Sequence, residues 1–500
     1  MIKRSSIALA KILGGVAALM IVMLGLFCWR LSMGPIDLPG LKDRIEGQLT
    51  AARSGRPVRI SGTELAWGEG PRPSLQLRAR DVAALDSDGH ELSRARYMAI
   101  GLRFSALLTG RVSVTDILLD GGQITYTNRR DGSGTLAFGP PGAQPDVIIA
   151  APPPNETARQ RIARMLDGLR ATMKPVGAGG QLNTVTMRRA RLTIVDEKNG
   201  GAWVGDDAAF ELARQGAALN VSAAANLKGP KGPAPFAATL TTDTAFKSAT
   251  LDLTVKGANP QGLGPFAPKG ILAGLTAPAT IAVKAGVDRE KGVTLLTGDL
   301  ALGRGALNFG GGKLLLDGGK LSGRYDVASD TLLVSEARLN GARTKMKIDA
   351  RIKHASSMFI ENATEPAAFS VTAPQVNFDM PGAFSAPVAL SNVAIAGQIK
   401  PSEINFAKFQ AVVEAARINL TGRLYWADDG KGVVRPGIEG GGVIDGAVSS
   451  KTVIGVWPLQ LAEGARSWLG QSLLDGRVYD LAVKADIKPA DFAGDDGIPN

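Results

Sequence analysis

The chain has a single cysteine, Cys28. No disulfide can form within it, and beyond residue 28 there is no thiol for catalysis or metal binding. Histidine is almost as scarce: His90 and His354 stand far apart in sequence. A zinc site or a histidine-based triad needs more partners close by, so both read as surface residues. Aromatics make up 5% of the chain. That is too few for the ring platforms of an exported carbohydrate-active enzyme, and it leaves few large rings to plug a compact core. No GxSxG occurs. Gly303, Gly305 and Gly310–Gly312 lack the GxxxxGK[ST] or strand–GxGxxG–helix context of a phosphate loop and read as bends in strands. Asp206-Asp207 and Asp428-Asp429 fall in predicted turns, where solvated acids are ordinary. Nothing argues for an enzyme, and no catalytic residue, metal or cofactor is expected.

After residue 29 the chain also lacks any long apolar run. The one it has is Ile12 to Trp29, ILGGVAALMIVMLGLFCW, 18 residues without a charge. At 1.5 Å per residue such a helix spans about 27 Å, near the thickness of a bilayer's hydrocarbon core. Ile12, Val16, Leu19, Val22, Leu26 and Trp29 are its anchor positions. Lys3, Arg4 and Lys11 precede it with no acid among them; Arg30, Lys42 and Arg44 follow, offset by Asp37, Asp43 and Glu46. The positive-inside bias puts residues 1–11 in the cytoplasm and the bulk of the chain outside it. A cleaved signal peptide would have a shorter apolar region of about 7–15 residues and a small-x-small site. This run is longer and ends in bulky Leu26, Phe27, Cys28 and Trp29, so an uncleaved signal anchor is expected.

The net charge is +11, with a pI of about 9.7. Nucleic acid is one partner for such a balance. The basic residues are thinly spread, no aromatic-plus-basic patch appears, and the chain is exported, so no nucleic-acid partner is expected. Attraction to anionic lipid headgroups and a plainly solvated basic surface both fit.

Leu41, Ile45 and Leu49 recur at i, i+4, i+8 and predict a short helix over 41–52. After it the period becomes 2. Leu75, Leu77 and Ala79 alternate with Gln76, Arg78 and Arg80. The same pattern recurs at Ile124 and Tyr126, at Leu192 and Ile194, and at Leu219 and Val221. It continues at Leu251, Leu253 and Val255, at Ile281 and Val283, and at Met346, Ile348 and Ile352. Ile418, Leu420 and Leu424, then Leu481 and Val483, complete the series. Each run is half polar, so each strand has one wet face. Asp131-Gly132, Asn199-Gly200, Asp317-Gly318, Asn340-Gly341, Asp429-Gly430 and Asp475-Gly476 supply turn signals. The expected class is mainly β: an elongated, twisted antiparallel meander, with no strand–helix–strand alternation.

Two segments interrupt the pattern. Residues 139–154, GPPGAQPDVIIAAPPP, read as a surface loop. Asn155 then caps a predicted helix to about Lys174, with Ile162, Met165, Leu166, Leu169 and Met173 as its apolar stripe and arginines elsewhere. Such a helix lies on a membrane or packs its stripe on a sheet. A second short helix is expected over 462–471, around Trp468. VSVTDILLDGGQITYTNRRDGSG (112–134) and LNTVTMRRARLTIVDEKNGG (182–201) share a plan of strand, small-residue step, strand and charged turn, which suggests stacked repeat units.

The order of these features resembles the AsmA-like superfamily. It is carried by the anchor, the helix at Leu41/Ile45/Leu49, RPVRISGTELAW (56–67), SLQLRARDVAALDSDGHEL (74–92), residues 102–134 and LTIVDEKNG (192–200). VWPLQLAEGARSWLGQSLLDGRV (456–478) is similar to the central region of YhdP-type members at Trp457, Pro458, Ala465, Arg466, Trp468, Gly476 and Val478. Each motif is degenerate; their order is what is specific. The resemblance implies an inner-membrane-anchored periplasmic protein of a Gram-negative cell. It also implies a β-groove of the bridge-like lipid-transfer type that moves glycerophospholipid toward the outer membrane. Members of this type are usually longer, which makes the chain an expected N-terminal portion.

The expected organisation is a tail (1–11), an anchor (12–29), the start of the groove (30–138), a loop and amphipathic helix (139–180), and continued groove (181–500). Acyl chains would lie on the apolar strand faces. The expected partners are phospholipid acyl chains, the inner membrane, and outer-membrane or periplasmic proteins. Two alternatives stand: a closed sandwich in which these faces meet a second sheet, and a scaffold that assists outer-membrane protein assembly by strand addition.

Overall fold

A computed structural model describes residues 22–492, apart from 24, 28, 54, 69–74, 103–113, 152, 154–155, 157, 173–182, 198–199, 230–231, 267–272, 310–311, 360–364, 401, 429–433, 458, 460–462 and 473–474. Among the described residues, twenty-five strands belong to one large, mostly antiparallel sheet, and two more form a small one. The chain divides into two units. One holds residues up to Glu156, Arg164–Asn226 and Thr241–Phe246; the other holds Thr157–Ala163, Leu227–Leu240 and Lys247 onward.

Ile12, Val16 and Leu19 of the expected anchor lie outside the described residues. The described residues from 22 to 32 are helical, with Val22, Leu26 and Trp29 exposed. Among the described residues no helix is long and apolar enough to cross a membrane.

In the first unit, strands Ile36–Asp37, Gly62–Trp67, Leu75–Leu85, Glu91–Leu102 and Val114–Gly121 pair antiparallel in that order. The predicted N-terminal helix forms at Lys42–Ala52. Its Ile45 and Leu49 pack on Val58, Ile60 and Ala79, so its apolar spacing is used against the sheet. Pairing then changes hand. Strand Thr184–Asp196 lies parallel to Val114–Gly121 and to Gln123–Asn128, and antiparallel to Ala202–Gln215. This corrects the expected all-antiparallel meander. The cause is the repeat itself: each partner lies 68 positions on, with Thr184 opposite Asp116 and Arg191 opposite Gln123. Two copies of one plan stack in register when a long connection lets the second return in the same direction. Residues 129–183 supply that connection. Both copies step through the left-handed region at the same level, Gly121 at φ +90° and Arg189 at φ +54°.

The connection holds helix Ala158–Thr172. Asn155, Met173 and Lys174 lie outside the described residues. Leu166 is fully buried while Met165 is exposed, so the stripe packs through part of its length.

In the second unit, twelve strands pair antiparallel with their sequence neighbours: Ser248–Ala258, Ala279–Asp288, Gly292–Leu302, Gly318–Asp326, Thr331–Asn340, Lys345–Lys353, Ala367–Phe378, Val388–Lys400, Glu403–Val413, Ala416–Asp428, Val434–Ser449 and Arg477–Ile487. The hairpin Gly305–Phe309/Gly312–Leu316 leaves this run and forms the two-stranded sheet. Its Gly305 sits flush on Ala277, where any side chain would collide with backbone. The helix expected near Trp468 forms at Glu463–Ser472. A further helix, Ser450–Val456, begins at the Ser449 cap, whose hydroxyl accepts from the Thr452 N–H.

Candidate functional site: a half-buried apolar face

Following the register across the twelve strands of the second unit shows what the separate alternations build. One row runs Leu251, Ala285, Leu296, Tyr325, Leu332, Ile352, Phe369, Gly397, Phe406, Gly422, Gly440, Ala485. The next runs Leu253, Val283, Gly298, Gly323, Val334, Ala350, Val371, Ile395, Phe409, Leu420, Gly442, Val483. Members are directly opposite neighbours, and the two rows share a face because residues two apart on a strand point the same way. Neither row contains a charge. None of these residues is buried, and Leu296 and Val483 are exposed.

Among the described residues, cover lies beyond the second row, whose Ile395, Phe409 and Leu420 pack against the covered cluster. A third row holds Val255, Ile281, Leu300, Leu321, Ala337 and Ile348, then Ala373 and Val393, then Ala411, Ile418, Ile444 and Leu481. Its Ala373, Val393, Ala411 and Ile418 form a closed core with Val413, Ala416 and Val448, on which Ile444 and, from helix Ser450–Val456, Val453 pack. A fourth row, with Leu302, Leu339, Met346 and Val376, lies partly under the small hairpin, through Leu307, Leu314 and Leu316.

Within the first row, Phe369 and Phe406 meet edge to face with centroids 6.1 Å apart. The strand between them presents Gly397, where a Cβ would collide with the Asn405 carbonyl of the next strand and stand 3.0 Å from the Phe369 ring. Tyr325 contributes the row's one polar side chain. Its hydroxyl donates to Asp330 at 2.9 Å. Burial first, and that carboxylate second, push its pKa up to about 12, so the row stays uncharged.

The residues proposed from alternation distribute as follows. Leu251 and Ile352 fall in the first row, and Leu253, Val283, Leu420 and Val483 in the second. Val255, Ile281, Ile348, Ile418 and Leu481 fall in the third, and Met346 in the fourth. Leu424 lies beyond the first row, between Ile404 and Ile438. In the first unit, Leu77 belongs to a comparable row, Leu65, Leu77, Ile100, Ile117, Val185, Leu212. Ile124 and Tyr126 stand opposite Leu192 and Ile194. Leu75, Ile124 and Leu219 are buried and serve packing; Val221 is half-buried. Phe406 and Phe409 escaped the period-2 reading because a bulge separates them, which puts residues three apart on one face. Leu332 escaped because TLLV has no alternation.

The other face of the first unit is charged. Arg80, Tyr97, Asp120 and Arg188 form one cross-strand row. Asp120 is fully buried. Arg189 Nε donates to its Oδ1 at 2.7 Å, Arg189 Nη2 pairs with its Oδ2, and Arg188 donates to the Tyr97 hydroxyl. Burial is the largest influence on the Asp120 carboxyl and would raise its pKa. The hydrogen bond and charge of Arg189, with the charges of Arg188 and Arg96, outweigh it and hold the group below the usual carboxylate range. A carboxylate held ionised by a guanidinium fork is a poor proton acceptor, so this is a clamp across the repeat step. Asp120→Asn should cost about 2 kcal/mol. A depressed folded pKa means this stabilisation is complete above about pH 4 and is lost as pH falls through the folded value. The variant should therefore show a shallower acid limb in urea-midpoint-against-pH profiles; an unchanged limb would refute the clamp.

Asp86, Asp88 and His90 bring three ligand-type atoms within 4.8 Å of one another in an exposed turn. Asp86 already accepts the Asp88 and His90 N–H groups, and its Oδ2 lies 3.2 Å from His90 Nδ1. His354 lies 3.3 Å from Glu365. Asp207 sits at φ +57° in a strand bulge, and Asp206 faces Arg191 at 3.7 Å. Asp429 and Gly310–Gly311 lie outside the described residues.

Comparison with family models, with curated proteins and with solved structures finds no match to this chain.

Proposed function

We propose that the chain is an inner-membrane-anchored periplasmic protein of the AsmA-like, YhdP-type class. In this reading its apolar face forms a groove that carries glycerophospholipid acyl chains between inner and outer membranes, with no catalytic step. The observation that carries it is the pair of uncharged rows across twelve strands, none of whose members is buried. Eleven strand spacings of about 4.8 Å make the rows roughly 50 Å long. So long an apolar strip needs an apolar occupant in water. Acyl chains supply one at about 0.8 kcal/mol per buried CH₂, and equivalent positions from strand to strand let a chain slide.

The test is lipid crosslinking to a photo-reactive residue at position 352, on the row, against one at 351, on the opposite face. Strong labelling at 352 and little at 351 is expected; equal labelling, or none at either, would count against the groove. The anchor is tested separately. The mature chain should fractionate with membranes and retain its first residues, and a soluble product starting after residue 30 would remove it.

One observation favours a second reading, a scaffold for outer-membrane protein assembly. Strand Val147–Ile149 pairs with Gly134–Ala137 and exposes all three of its apolar side chains, as a strand-addition edge would. Mass spectrometry of what co-purifies, phospholipid or unfolded porin, separates the two.

A further inference from the structure

A cavity of about 700 Å³ opens in the first unit, lined among others by Arg56, Ser87, Gln144, Pro145, Asp146 and Ile148. Its charge is unbalanced. Arg56 Nη2 and Arg53 Nε both donate to Asp146 Oδ1, at 2.6 and 3.2 Å. Asp146 Oδ2 accepts the Phe138 N–H at 2.7 Å. The three side chains are 10%, 11% and 6% exposed. Two guanidinium groups thus share one carboxylate, and among the described residues neither has another acidic partner. Arg56 spends one N–H of Nη1 on the Gln144 carbonyl, and each of its terminal nitrogens keeps a second N–H. Arg53 Nη2 is buried with no hydrogen-bond partner. The nearest acidic turn does not supply the missing charge, since Asp86 spends its oxygens within its own turn.

A desolvated excess cation beside a cavity is stabilised by an anion, and a guanidinium fork matches the oxygens of phosphate. We infer that this cavity binds the phosphate group of a phosphate ester, with Arg56 as the contacting residue and Arg53 behind it. Ile148 lines the cavity and is 69% exposed. It gives the opening one exposed apolar side chain, a contact for the apolar part of an amphiphilic phosphate ester. The site lies in the first unit and stands independently of acyl-chain binding in the second.

The test is calorimetric titration of the full chain in nonionic detergent with inorganic phosphate and, separately, with dihexanoyl phosphatidylglycerol. Saturable one-to-one binding is expected. Ile148→Glu places a negative charge at the rim on an exposed side chain, so folding should persist by circular dichroism while binding weakens at least tenfold. Arg56→Lys keeps the charge and loses the fork, and should weaken binding severalfold. Lipid binding at least tenfold tighter than phosphate assigns the site to a lipid headgroup; equal affinities assign it to a soluble phosphate ester. Absence of saturable binding by the folded wild type, or wild-type affinity in Ile148→Glu, overturns the site. Crosslinking at position 352 is unaffected by either result, so the two readings fail separately.

Discussion

An aspartate at Val393 should unfold the second unit, and an aspartate at Ile352 should leave it folded. The two positions lie on the same apolar face, two strands and two rows apart, and are chemically alike, yet their surroundings differ. Val393 is 6% exposed in a closed core with Ala373, Ala411 and Ile418. A carboxylate there has no partner and no route to water, and such burial belongs to the most damaging class of substitutions, about 4 kcal/mol or more. Ile352 lies in the first apolar row, half-buried. Its aspartate reaches solvent, so the loss is limited to part of one apolar side chain, about 1–2 kcal/mol. Urea unfolding followed by tryptophan fluorescence reads both. If Ile352→Asp unfolds the protein as completely as Val393→Asp, the row is covered and the groove proposal falls. If it folds, it should also lose lipid labelling, because a charge interrupts the apolar path.

Asp146→Ala should remove about 3–5 kcal/mol, since it leaves two nearly buried guanidinium groups without their shared counter-ion. The residue also ties residues 138–149 to the segment after helix Lys42–Ala52: Arg53 and Arg56 stand 93 and 90 positions away. Limited proteolysis should then cut between residues 139 and 154, where the wild type resists. The triple replacement Arg53→Met, Arg56→Met, Asp146→Leu should recover most of the loss, because well-packed apolar side chains replace a buried ion pair at little cost. A fully stable Asp146→Ala would show that the ion pairs hold nothing.

Alternation was enough to place most strands, because one wet and one apolar face impose a period of 2 whatever the neighbours are. Leu251/Leu253/Val255 and Met346/Ile348/Ile352 were legible for that reason, as was the helix carrying Ile45 and Leu49. The reading failed where the backbone departs from the pleat. Non-glycine residues in the left-handed region, among them Asp81, Asp207 and Asn392, reset which side chains share a face; Asp and Asn tolerate that region better than other side chains, but most of them do not occupy it, so their identity alone does not mark the step. The surface loop expected over 139–154 contains a strand and the buried Asp146, whose partners are too distant in sequence for any local pattern to reveal.

Local residue order thus determined where most strands lie and, in regular stretches, which side of each is apolar, since both follow from backbone geometry within a few residues. Tertiary structure decided the rest. Which strands pair, that one repeat stacks parallel on its copy, and which rows are covered by the hairpin Gly305–Phe309/Gly312–Leu316 or by helix Ser450–Val456 all depend on contacts between residues tens of positions apart. Leu253 and Ile418 carry the same alternation, yet one stands half-open and the other is core. The difference lies in what packs above them, which no period within a strand encodes.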